Sequence, residues 1–170
     1  LLAAGFLAAL QLLRHRVPRF GITPDAASDV ALWLLIGGLV GAKVLLVIVE
    51  WPRYVTSLGA LMELARSAGV FYGGLLGAIV TLVVLIRKHR IPVFDFLDAA
   101  SPCVALGQAI GRLGCLAAGC CWGRECHLPW AITFTDPAAE QNVGVPLHVP
   151  LHPTQLYEAI GLTIFLALLL

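Results

Sequence analysis

The chain of 170 residues is 59% hydrophobic and 12% charged, with a formal net charge of +1 and a mean hydropathy of +0.91. A soluble domain carries about 25% charged residues, so this composition excludes an ordinary soluble protein and predicts bilayer spans of roughly 20 apolar residues. The near-zero charge speaks against nucleic acid as a partner, because binding a phosphate backbone needs a basic face.

The first apolar run covers residues 1–13. It lacks the basic n-region and small-residue cleavage site of a signal peptide. It also begins without a Met, which reads as a portion of a longer protein. Arg14, Arg16 and Arg19 follow it. The second span is expected at 29–50, after Thr23-Pro24, and contains Lys43. A connector at 51–67 carries Arg53 and Arg66. The third span, 68–86, holds Phe71-Tyr72-Gly73-Gly74 near its start and is followed by Arg87, Lys88 and Arg90. The fourth covers 95–118 and holds Arg112. A long segment rich in Pro, Gly and polar residues, 119–153, precedes the last span at 154–170, which like the first is clipped.

None of these segments alternates with period two, and an isolated strand leaves its backbone unpaired in lipid, so the spans are read as helices. The expected fold is all-α, a polytopic integral membrane helix bundle forming a single transmembrane domain over 1–170. Five spans in up-and-down order put the two basic clusters on one side, and basic residues in short loops mark the cytoplasm. Residues 51–67 and 119–153 are then expected outside.

Arg112 lies deep in an apolar segment, where insertion costs at least ~2.5 kcal/mol and a functional role is the default hypothesis. Its fork suits a phosphate or carboxylate. Snorkelling, or a structural pair with Glu50 or Glu158, is the alternative. Lys43 is either a second contact for an anionic headgroup or a snorkelling side chain. Tyr72 is read as an interfacial aromatic or as a hydroxyl of the site, and Gly73 with Gly77 forms a small-residue pattern that lets helices approach closely. His152, Gln155 and Glu158 fall three apart, so one helical face would carry an imidazole, an amide and a carboxylate.

The cysteines Cys115, Cys120, Cys121 and Cys126, with His127 beside the last, cluster after the fourth span, while Cys103 stands apart as a small buried residue. A disulfide such as one between Cys121 and Cys126, a reactive thiol, and a zinc site are the alternatives. No metal or cofactor is assigned. By topology Tyr72, Arg112, Cys120 and His152 gather near the outer surface, which describes a site that handles phospholipid.

The run Asp98-x3-Pro102-x4-Gly107-Gln108-Ala109-Ile110-Gly111-Arg112-Leu113-Gly114 resembles the signature helix of prolipoprotein diacylglyceryl transferases. Gly73-Gly74-Leu75, Pro129-Trp130-Ala131 before Phe134, and His152-Pro153-Thr154-Gln155-Leu156-Tyr157-Glu158 are similar to other motifs of that family, as are Thr23-Pro24 and Gly41-Ala42-Lys43. The resemblance runs from about residue 20 to the end. It implies a multi-pass enzyme of the bacterial inner membrane with its active face toward the periplasm. Its partners would be phosphatidylglycerol and the lipobox segment of a prolipoprotein, whose cysteine thiol becomes a thioether. It further implies catalytic roles for Arg112, Cys120 and Tyr72, and lipid contacts by Arg112, Lys43, Gly73, Gly74, His152, Gln155 and Tyr157.

The chain departs from that pattern in several places. Where the family reads G-R-x-G-N-F-x-N-G-E, this chain has Cys115, Ala118 and Cys120 at the two asparagines and the glutamate. Tyr72 replaces a histidine, and Leu151 and Lys43 replace arginines. Transfer to another acceptor, or a non-catalytic, thiol-redox or metal-binding membrane module of the same fold, is the competing expectation.

Overall fold

A computed structural model describes residues 1–54 and 69–170, so most of the expected 51–67 connector, with Arg66, lies outside the described residues. The described chain is mainly helical, with one small two-stranded sheet. Its helices are α1 (Leu2–Arg16), α2 (Pro24–Val49), α3 (Trp51–Tyr54), α4 (Phe71–His89), α5 (Val93–Ala118), α6 (Pro137–Val143) and α7 (Thr154–Leu169). Among the described residues α2, α4 and α5 are long and apolar enough to cross a membrane, and α7 is a shorter apolar helix. Only 6% of the apolar window of α2 is buried against protein. Side chains such as Leu32, Leu39, Val44 and Ile48 stay exposed, as they do when the solvent is lipid.

The helix bounds follow local chemistry that hydropathy does not register. α2 starts five residues before the expected span because Thr23 caps it, its side chain accepting from the Ala26 amide at 3.4 Å, with Pro24 at the first helical position. The polar first turn, with Asp25, Ser28 and Asp29, is helical without being apolar. α4 ends on Arg87, Lys88 and His89, whose charges suit a helix C-terminus. α5 contains Pro102, which lacks the amide that would bond the Asp98 carbonyl. Ser101 Oγ donates to that carbonyl instead, at 3.3 Å.

The contacts divide the chain into two compact units, one of residues 1–16 and 97–170, the other of residues 17–96. The second unit is built on α2 against α4. Gly37 and Gly41 of α2 meet Gly73 and Gly77 of α4 backbone to backbone, the close approach expected of Gly73 and Gly77. In the first unit, α1 crosses α5 where Gly5 lies against Gly107, a Cβ on Gly5 standing 3.1 Å from the Gly107 carbonyl oxygen.

Residues 119–153 are structured rather than an irregular connector. β1 (Ile132–Thr133) pairs antiparallel with β2 (Pro150–Leu151), and Glu125 bridges to Leu151 on the other side. α6 is capped at both ends: the Asp136 carboxylate accepts from the Ala138 amide at 2.9 Å, Pro137 opens the helix, and Gly144 closes it at φ 72°. Val145, Leu151 and Cys126 are buried beneath this cover.

Candidate functional site

The site in the first unit grows from the end of α5. The helix stops at Ala118 because Gly119 takes φ 71°. The Gly119 amide bonds the Leu116 carbonyl at 3.2 Å, and the Cys120 amide bonds the Cys115 carbonyl at 3.0 Å. This pair of bonds is the Schellman cap, which brings the side chains five residues apart across the helix end into contact. Here those side chains are the Cys115 and Cys120 thiols. Cys121 follows at φ 63°, a left-handed conformation uncommon outside glycine and frequent at functional sites. The turn places its Sγ 3.8 Å from Cys120 Sγ, and the three sulfurs lie within 4.8 Å of one another.

The start of α7 holds this turn in place. Thr154 Oγ1 donates to the Cys121 carbonyl at 2.6 Å, and Gln155 Nε2 donates to the Cys120 carbonyl at 2.7 Å. Gln155 is 1% exposed, and its buried Oε1 has no partner among the described residues. The approach also requires Gly123, whose amide donates to the His152 carbonyl at 3.0 Å. A Cβ there would stand 2.7 Å from the Cβ of His152 and 2.8 Å from the Cγ2 of Thr154. Gly123→Ala is therefore expected to destabilise the fold by about 1–3 kcal/mol, read as a lower midpoint of thermal unfolding in detergent. A midpoint at or above that of the parent protein would contradict the packing described.

Arg112 pairs with Glu158, the alternative the sequence left open: its Nε lies 2.7 Å from Glu158 Oε2. The pair is only part-buried, with side chains 26% and 46% exposed. The contact engages Nε, while a guanidinium carries four more N–H donors on its Nη nitrogens. Beside Arg112 along α5, Gly111, Gly114, Cys115, Ala118 and Cys120 line an open, mainly apolar groove of about 610 Å³, closed on its other side by the start of α1. A second apolar groove of about 390 Å³ runs between α5 and α7, past Ala109, Leu113, Ala159 and Thr163.

Tyr157 holds a third cluster. Its oxygen accepts from Trp130 Nε1 at 2.7 Å and lies 3.2 Å from His152 Nδ1. Indole N–H is a donor only, so the Tyr157 oxygen accepts there, while the direction of the contact with His152 follows the imidazole tautomer.

These positions revise the expected polar face of the last span. His152 precedes the helix and turns to Tyr157, Gln155 is spent on the Cys120 carbonyl, and Glu158 meets Arg112. The disulfide expected between Cys121 and Cys126 is also corrected, since all five cysteines are free. The left-handed turn sends Cys121 to Cys120, whereas Cys126 is buried in the small sheet, its amide bonded to the Pro150 carbonyl at 2.9 Å. Burial first, then hydrogen bonds with the Cys115 and Cys121 thiols, push the Cys120 thiol up to about 12. Alone it is protonated at neutral pH, a poor base and a poor nucleophile.

The remaining expected residues belong to the second unit. Lys43 is half-buried on α2. Tyr72 is 70% exposed at the start of α4 and packs edge-on against Phe71. Gly73 and Gly74 face the α2 backbone at Gly41 and Gly38, so packing accounts for both. Sequence reasoning missed Thr154, Gly123 and the separation of Cys115, Cys120 and Cys121, as one set, from Cys126. The left-handed glycine four residues after Cys115 was the available signal for the last.

The sequence model of the family described as Prolipoprotein diacylglyceryl transferase matches residues 1–170. A Clostridium tetani protein named phosphatidylglycerol–prolipoprotein diacylglyceryl transferase is 35% identical over 160 residues, 94% of this chain and 62% of its own length. Proteins of the same name from Synechocystis sp. and Acaryochloris marina are each 31% identical, over 94% and 100% of this chain and 56% and 61% of theirs. The chain thus spans about three fifths of the length of these relatives. With its long lipid-exposed helices, this membrane protein of bacterial type belongs to the prolipoprotein diacylglyceryl transferase family.

Proposed function

We propose that the protein transfers the diacylglyceryl group of phosphatidylglycerol to the lipobox cysteine thiol of a prolipoprotein, at the periplasmic face of the bacterial inner membrane. The observation that carries this reading is Arg112, a part-exposed cation in an apolar helix whose neighbours Gly111, Gly114 and Cys115 line an open apolar groove. A phospholipid needs both features at once, an anion clamp and a channel for acyl chains.

In this mechanism Glu158 orients the guanidinium through Nε and leaves the Nη edge for the lipid phosphate. As the carbon–oxygen bond of the diacylglyceryl carbon breaks, negative charge grows on the departing glycerol phosphate. A preorganised cation at that point stabilises the transition state more than the ground state. The acceptor thiol must lose its proton before or during attack, because the thiolate is the nucleophile.

Expression in a strain depleted of its own diacylglyceryl transferase tests the proposal. Restored growth with lipid-modified prolipoprotein is the expected result. Absence of rescue by a well-expressed, correctly inserted chain would favour transfer to another acceptor or a non-catalytic module.

A further inference from the structure

The acceptor thiol must be activated, and the geometry after α5 supplies an answer that rests on the proposed transferase reading. We propose that Cys115, Cys120 and Cys121 bind one zinc ion whose fourth coordination position takes the acceptor cysteine as a thiolate.

The backbone, the sulfur spacing and the surrounding side chains support this. The Schellman cap joins Cys115 to Cys120 across the helix end, through the bond of the Cys120 amide to the Cys115 carbonyl. The left-handed turn at Cys121 then adds a third thiol from the adjacent residue, where an extended chain would send it to the opposite side. In a tetrahedral zinc–thiolate centre with Zn–S bonds of about 2.3 Å, sulfurs stand about 3.8 Å apart. Cys120 Sγ and Cys121 Sγ are already 3.8 Å apart, and no pair in the cluster exceeds 4.8 Å, so small side-chain rotations close the set. Thr154 and Gln155 clamp the carbonyls of both turn cysteines, the outer support that orients ligands at metal sites. Arg112, three residues before Cys115 on the same helical face, supplies positive charge beside a centre of net negative charge.

Three protein ligands with one position left open is the pattern of catalytic rather than structural zinc. The cluster also lines the groove assigned to the acyl chains, through Cys115 and Cys120. An acceptor thiol entering the open position loses its proton to water, since a coordinated thiol is held as thiolate. Its sulfur lone pair forms the carbon–sulfur bond at the diacylglyceryl carbon. The carbon–oxygen bond to phosphate breaks, and its electron pair leaves with glycerol phosphate. Zinc keeps its charge throughout, and one proton and one glycerol phosphate are released for each thioether made.

The test uses the full chain purified in detergent, with zinc measured by elemental analysis before and after a chelator, and Co²⁺ as a spectroscopic replacement. One equivalent of zinc per chain is expected, lost in each of Cys115→Ser, Cys120→Ser and Cys121→Ser and retained in Cys103→Ser and Cys126→Ser, with helical circular dichroism unchanged. The cobalt form should show thiolate-to-metal charge transfer that changes when a short single-cysteine peptide is added. Sub-stoichiometric metal, metal indifferent to the three substitutions, or a cobalt spectrum blind to the peptide would each overturn the proposal. Full transfer by the chelator-stripped chain would overturn it while leaving the transferase standing. A zinc-loaded chain that responds to the peptide but transfers nothing would sustain the thiolate site and remove the transferase reading.

Discussion

Replacing Arg112 by alanine should lower kcat/KM for diacylglyceryl transfer by about 10²–10³-fold, the loss typical when one preorganised donor to a developing anion is removed. Arg112→Lys should recover only part of that loss, because an ammonium keeps the charge but not the planar fork that grips a phosphate in two places. Glu158→Gln separates the two functions of the pair. Its carboxylate is 46% exposed and meets Arg112 at Nε, so its removal should cost less than about 1 kcal/mol of stability. Its effect should fall on the orientation of the guanidinium instead. Because the pair aims the Nη edge at the lipid phosphate, Glu158→Gln should raise KM for phosphatidylglycerol more than it lowers kcat. The measurement is transfer of labelled lipid to a lipobox peptide in detergent, with unfolding midpoints of all three variants compared. Arg112→Ala transferring at the parent rate would end the anion-clamp mechanism.

The second large effect concerns the crossing of α2 and α4. A Cβ on Gly41 would stand 2.9 Å from the Gly77 Cα and 3.1 Å from its amide nitrogen, with the Gly73 carbonyl closer still. These obstacles are backbone, and no rotamer change moves them. Gly41→Ala should therefore destabilise by about 1–3 kcal/mol, and Gly41→Val by more. Gly161→Ala is the control, since nothing lies within 4 Å of a Cβ there and a helix interior gains about 0.5–1 kcal/mol when glycine becomes alanine. Opposite shifts of the unfolding midpoint in detergent are expected for Gly41→Ala and Gly161→Ala. Equal shifts would mean that the glycines of α2 do not set the helix separation.

Apolar length alone determined the membrane class and the helical form of the long segments, because lipid demands the same thing of every spanning segment: about 20 apolar residues with an internally bonded backbone. Arg112 was singled out for a similar reason, since a cation in that setting is expensive whatever surrounds it. The close packing of Gly73 and Gly77 also followed from their spacing. Residues 119–153 were harder to read. The caps of α6, Asp136-Pro137 and Gly144, are local signals that hydropathy overlooks.

Partner choice was decided by the tertiary structure alone. Glu158 meets Arg112, Gln155 is spent on a carbonyl thirty-five residues away, and Cys121 turns to Cys120 instead of Cys126. Each outcome depends on how β2 delivers the first turn of α7 against the end of α5. Hydropathy and periodicity report how a residue meets its solvent and its own helix. They carry no information about which of several equally suitable polar groups a distant strand brings within 3 Å.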